Sequence, residues 1–152
     1  MLTKETKINV LNACSKIVAK KISTYQNALT EAQESANNET KSSAGDKHET
    51  GRAMAQLETE KLTAQLTEAS KLEQALQIIN TDIVHESIRL GTLVKTNNGI
   101  FLIAVSLGKV TVNDIAYFVI STVSPIGEQL IGLKQQDFFT FNGRKYIIEE
   151  LV

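Results

Sequence analysis

The residues best suited to chemistry lie in one short stretch, Gly45-Asp46-Lys47-His48-Glu49. Asp46 and Glu49 are three apart, a spacing that puts both carboxylates on one face if a helix begins there. Hard oxygen ligands of this kind suit magnesium, which keeps most of its waters and takes only one or two protein carboxylates. The same Asp-x-x-Glu spacing also makes a capping box, in which each side chain satisfies a free backbone N–H at a helix start. A cap can still turn a carboxylate oxygen outward, so the two readings coexist. His48 has no His or Cys beside it, and a solvated histidine is the simpler reading than a metal ligand or general base. The sequence carries no Ser-His-Asp arrangement, Walker loop or dinucleotide fingerprint. Lys16, Lys20 and Lys21 form a modest basic cluster; it reads as a solvated face, with contact to RNA phosphates from Lys16 and Lys20 as the functional alternative.

Such acids act only where the surrounding elements deliver them. Of eight glycines, Gly45 and Gly51 bracket the acidic stretch and the others fall at or after Gly91, while the single proline is Pro125. Residues 1–44 and 52–90 therefore lack both breakers and predict two long helices joined near Gly45. In the first, Ile8, Leu11, Ser15, Val18, Ile22, Tyr25, Leu29, Ala32 and Ala36 follow steps of three and four, a stripe that faces one partner helix. In the second, Leu62, Leu66, Ala69, Leu72, Leu76, Ile79 and Ile83 form a stripe. Met54 and Leu57 sit off its register, predicting a local shift near 57–62. Asn37 to Gly45 is polar and small and reads as the connecting tip. With so narrow a stripe and polar outer faces, an antiparallel coiled coil reaching into solvent is expected.

The pattern changes after Ile88. Short β-branched runs at 90–96, 100–105, 110–112, 117–120, 137–141 and 145–151 predict strands, with Asn97-Asn98-Gly99 and Asn142-Gly143 as hairpin turns. Ser124-Pro125 predicts a short helix with Ser124 as N-cap and Pro125 in its first turn, closed by Gly132. The expected fold is α+β: a helical hairpin over 1–84 with its acidic tip near 45–49, then a small strand-rich domain over 85–152.

The 152 residues are 42% apolar with a net charge of −1, enough to bury a core and too balanced for a DNA-coating protein. The lone cysteine, Cys14, can make no internal disulfide and reads as a small apolar residue beside the helix seam. No window approaches the apolar length of a membrane span, and the N-terminus lacks a signal-peptide core; a cytoplasmic protein is expected.

Two stretches carry a resemblance. Ser124-Pro125-Ile126-Gly127-Glu128-Gln129-Leu130-Ile131-Gly132-Leu133 is similar to the Ser-Pro-Ile and Leu-Ile-Gly signature of the bacterial GreA/GreB transcript-cleavage factors. The tip resembles that family's Gly-Asp-x-x-Glu, and the last hairpin, with Asn142-Gly143 and Tyr146-Ile147-Ile148, also fits. The order of parts is the same across nearly the whole chain. The resemblance implies an FKBP-like C-terminal domain and a factor that binds RNA polymerase, enters its secondary channel and is not itself an enzyme. It implies that Asp46 and Glu49 support a Mg²⁺ shared with the polymerase active site, beside the RNA 3′ end. It places polymerase contact on Ser124, Pro125, Ile126, Gly127, Leu130 and Gly132, and a monomer is expected. The chain departs from the family after Glu49, where Thr50-Gly51-Arg52-Ala53 stands in place of Asn-Ala-Glu-Tyr. A divergent regulator that occupies the channel without cleavage is the alternative. A coiled-coil adaptor and a peptidyl-prolyl isomerase are more distant ones, the last resting on fold analogy alone.

Overall fold

The computed structural model describes residues 1–40 and 45–152; residues 41–44, and the side chains of 38–40 and 45–48, lie outside the description. The elements run α1 (Lys4–Thr40), α2 (Gly45–Gln77), β1 (Leu93–Thr96), β2 (Gly99–Ile103), β3 (Gly108–Val112), β4 (Ile115–Ile120), α3 (Pro125–Leu130), β5 (Phe138–Phe141) and β6 (Arg144–Leu151). This is the α+β architecture expected, two long helices followed by a strand-rich domain. No helix among the described residues is long and apolar enough to cross a membrane. The chain forms two compact units, one of Ile17–Glu73 and one of Met1–Lys16 with Gln74–Val152.

Within the helical unit the two helices run antiparallel. Lys21 and Tyr25 of α1 share a groove with Ala64, Gln65, Glu68, Ala69 and Leu72 of α2. Gln33, Ala36 and Asn37, further along α1, meet the opening turns of α2 from Glu49 to Glu60. Val18, Leu62 and Ala69 are buried in this unit. The seam of α2 passes through half-buried Gly51, Ala55 and Thr59 before Leu62. Two successive steps of four replace the heptad's alternation, so the shift lies over 51–59, ahead of where the sequence placed it. Met54 and Leu57 are left outside the seam, each 66% exposed.

Three predicted seam positions change. Ser15 is exposed and Cys14 is fully buried, because Leu11, Cys14 and Val18 keep steps of three and four just as well and a hydroxyl gains nothing from burial. Ile79 and Ile83 lie beyond α2, which stops at Gln77, and Ile83 is 46% exposed. Asn80 ends the helical run: its Oδ1 accepts from the Asp82 N–H at 2.9 Å, a local turn that competes with the helix.

The strands form one sheet in the order β3-β4-β2-β1-β6-β5. Only β2 and β4 pair in parallel; the other neighbours are antiparallel. Alternation decides the faces. Val94, Phe101, Ile103, Phe139, Tyr146 and Ile148 bury one face together with Ile88 and with Leu130 of α3. The Phe139 and Tyr146 rings stack at 4.9 Å between centroids. Leu93, Leu102, Tyr117 and Val119 are buried on the other face. There Leu2, Thr6 and Asn9 share a groove with Lys95, Ile100, Val112 and Tyr117. The first strand is shorter than read, since Leu90 is exposed and Gly91, at φ +91°, turns the chain into β1.

Candidate functional site: helix-start acids and the Ser124–Gly132 turn

Helix α2 opens at Gly45, so Asp46 and Glu49 both fall in its first turns, on one side of the backbone. Whether the Asp46 side chain caps this helix lies outside the described residues. The side chains of Asp46, Lys47 and His48 lie outside the described residues. Glu49 is exposed. It lines a hollow of about 670 Å³ with Gln33, Ala36 and Asn37 of α1 and Arg52, Ala53, Gln56, Thr59 and Glu60 of α2. The apolar lining of the hollow is small, with Ala36 on α1 and Ala53 on α2. Arg52, one turn after Glu49, brings a cation into the same space, a feature the sequence reading noted only as a departure from a family pattern. Among the described residues no group of three or more His, Cys, Asp or Glu could hold a metal ion.

The Ser124–Gly132 stretch folds as read. Ser124 is extended, at φ −66° and ψ 153°, and caps α3 by accepting from the Gly127 N–H, with Pro125 in the first turn. After the helix, Gly132 at φ +86° reverses the chain. Its N–H donates to the Ile88 carbonyl at 2.8 Å, and the Ile88 N–H donates to the Leu133 carbonyl at 2.8 Å. This pair of bonds ties the turn to the segment that leads into β1.

Burial divides the predicted contact residues. Leu130 is fully buried and Gly127 is buried, so both build the turn and neither offers a surface. Ile126 packs half-buried against the core cluster. Pro125 and Gly132 are exposed and Ser124 is half-buried. The surface apolar groups are ones the sequence reading missed. Ile131 and Leu90 are exposed and share a shallow depression with Arg89, Thr122 and Glu128; Val123, next in the chain, is 77% exposed. Leu90 was hidden because its β-branched surroundings read as strand, and Ile131 because it sits between the two signature residues.

Lys16 and Lys20 are both exposed. Lys20 and Lys21 flank Ile17, Thr24 and Tyr25 in an apolar hollow along α1. The basic cluster thus has an aromatic edge beside it.

One titratable pair lies elsewhere. His85 is buried, with Nδ1 2.6 Å from the Thr92 hydroxyl. Burial, with Lys7 and Arg89 nearby, pulls its pKa down to about 4.

No family model matches the chain, and no curated protein matches it. One solved structure, described as that of the transcription factor Gfh1, is similar over 91% of this chain and 93% of that chain, at 18% identity and a TM-score of 0.39. A likeness of that degree leaves the functional reading with the chain's own residues.

Proposed function

We propose that this chain is a transcription elongation factor of the Gre kind, which binds bacterial RNA polymerase and carries Asp46 and Glu49 through the secondary channel to support magnesium-dependent cleavage of backtracked RNA. The supporting observation is the placing of the two Gre-like stretches. Glu49 is exposed where α2 begins. The Ser124–Gly132 stretch forms a capped turn beside an exposed apolar depression.

The donor set suits the ion. Magnesium accepts one or two carboxylates and completes its shell with water and substrate phosphate. When bound, it supplies Lewis acidity toward the phosphodiester that is hydrolysed. Glu49 offers its carboxylate from a helical turn and not from a loose loop, which limits the orientations to be lost on engagement. Asp46, three residues earlier, offers the second from the same side. The polymerase supplies the remaining ligands and performs the hydrolysis, so the factor acts in trans and is no enzyme alone. Lys16 and Lys20 are available to RNA phosphate as point charges. The exposed pair Leu90 and Ile131, with Val123, Arg89 and Glu128 around it, is the docking patch on the polymerase rim, in a single copy of the factor.

A second reading is favoured by Arg52. Arg52 lines the same hollow as Glu49, and a guanidinium that swings onto that carboxylate would compete with a cation for it. Gly51, in the seam two residues past Glu49, also loosens the start of α2. On that reading the protein occupies the channel and regulates transcription without cleavage.

Binding is tested by titrating fluorescently labelled protein with bacterial core polymerase. Wild type saturates, and Ile131→Glu weakens binding about tenfold or more, because it puts a charge in an apolar contact, while the variant melts as wild type does. Absence of wild-type binding ends both readings.

A further inference from the structure

Lys7 is the buried side chain that the fold serves least well. It is 1% exposed, and its Nζ is the buried side-chain polar atom that finds no hydrogen-bond partner among the described residues. Its place follows from spacing. Lys7, Leu11, Cys14 and Val18 are separated by four, three and four residues, so the helix turns the lysine inward with its apolar neighbours. The groups around it do not compensate. Arg89 on the 85–92 segment and Lys4 on its own helix are the charges that bear on it, and both are cations. Asp82, just ahead of that stretch, is taken by Lys4, and Glu86 is exposed. From the sheet, Lys95 pairs with Glu150 at 4.0 Å. His85 is occupied with Thr92 and offers Lys7 no partner. The 85–92 segment is itself tightly set, for a Cβ on Gly91 would meet Ile79 at 3.0 Å and His85 at 3.6 Å.

An ammonium sealed among apolar groups and other cations is strongly disfavoured, and such a group gives up its proton instead. Burial first, then Arg89 and Lys4, hold the Lys7 amine below its ordinary range. We propose that Lys7 is a proton-operated latch: the first turns of α1 seat against the 85–92 segment with Lys7 as an uncharged amine, and a proton taken up at Nζ drives the side chain to water and loosens that seat.

The direction follows from linkage. With the folded-state value below the unfolded value, the contact is at full strength at high pH, and it weakens as pH falls below 10.5 toward the folded value. Buried His85 acts in the same sense lower down, between 6.5 and about 4.

The test uses the full chain, with melting temperature and amide protection factors of residues 4–14 measured at about pH 7 and about pH 9.5, both below the ordinary lysine value of 10.5, so that a displaced lysine keeps its proton while the seated amine does without one. Wild type is expected to gain on both measures at the higher pH. Lys7→Met is expected to hold high values at both pH values with no gain, and Lys7→Arg, which cannot shed its charge, low values at both. A wild-type gain that Lys7→Met reproduces in full overturns the latch, as does a wild type that gains nothing. Should the variants fail to fold, an NMR titration of the Lys7 Nζ in the wild-type chain decides. A midpoint well below the ordinary lysine value supports the latch, and an ordinary midpoint overturns it.

Discussion

The Ser124 hydroxyl stands between two backbone groups, donating to the Ser121 carbonyl at 2.8 Å and accepting from the Gly127 N–H at 3.1 Å. The turn closes so tightly that a Cβ on Gly127 would lie 2.2 Å from the Ser121 oxygen and 2.6 Å from Ser124 Oγ. Ser124→Ala should therefore cost about 1 kcal/mol, the usual worth of an N-cap side chain. Gly127→Ala should cost more, since backbone must move, and it should also disturb the Leu90–Ile131 depression. Thermal denaturation of both variants checks the order.

Gly143 isolates backbone strain from packing. It sits at φ +78° beside Asn142 at φ +50°, in the turn between β5 and β6, and a Cβ there would meet nothing within 4 Å. Gly143→Ala is expected to destabilise by about 1–2 kcal/mol, the cost of the left-handed conformation for an L-residue. Urea denaturation should show a lower midpoint with an unchanged slope.

His85 should make the fold acid-sensitive. Its folded-state pKa of about 4 lies below the ordinary 6.5. The stability it contributes is full above 6.5 and is lost as pH falls from 6.5 to about 4, where the buried ring must charge. NMR of the His85 ring protons should give a midpoint near 4. Replacing it with Asn should flatten stability over that pH span.

The fold was legible where local chemistry and tertiary need agree. Freedom from Gly and Pro marked the long helices, and Asn142-Gly143 and Ser124-Pro125 marked the last hairpin and α3, because each device is fixed by its own backbone. The misses came where two solutions fit the same spacing. Cys14 and Ser15 fit the stripe equally, and burial of a hydroxyl decided against Ser15. Ile78, Ile79 and Ile83 prolong an apolar rhythm that Asn80 interrupts. Asn113-Asp114, both left-handed at φ +51° and +64°, form the turn from β3 to β4 that the sequence reading passed over. Of the candidate site, Glu49 and the α3 turn could be named in advance. The surface around the turn could not, because Leu90 and Ile131 are separated in sequence and meet only through the Ile88–Gly132 bonds.

The most direct measurement is transcript length in a backtracked complex of purified RNA polymerase, with magnesium, with and without this protein. Wild type is expected to release short 3′ fragments, and Glu49→Ala and Asp46→Ala should each abolish that release while still binding the polymerase. Arg52→Ala should leave cleavage intact or raise it. If wild type binds the polymerase yet leaves the RNA whole, the protein is the non-cleaving regulator. If it shortens the RNA and both acid variants do so equally well, the role assigned to the acids is contradicted.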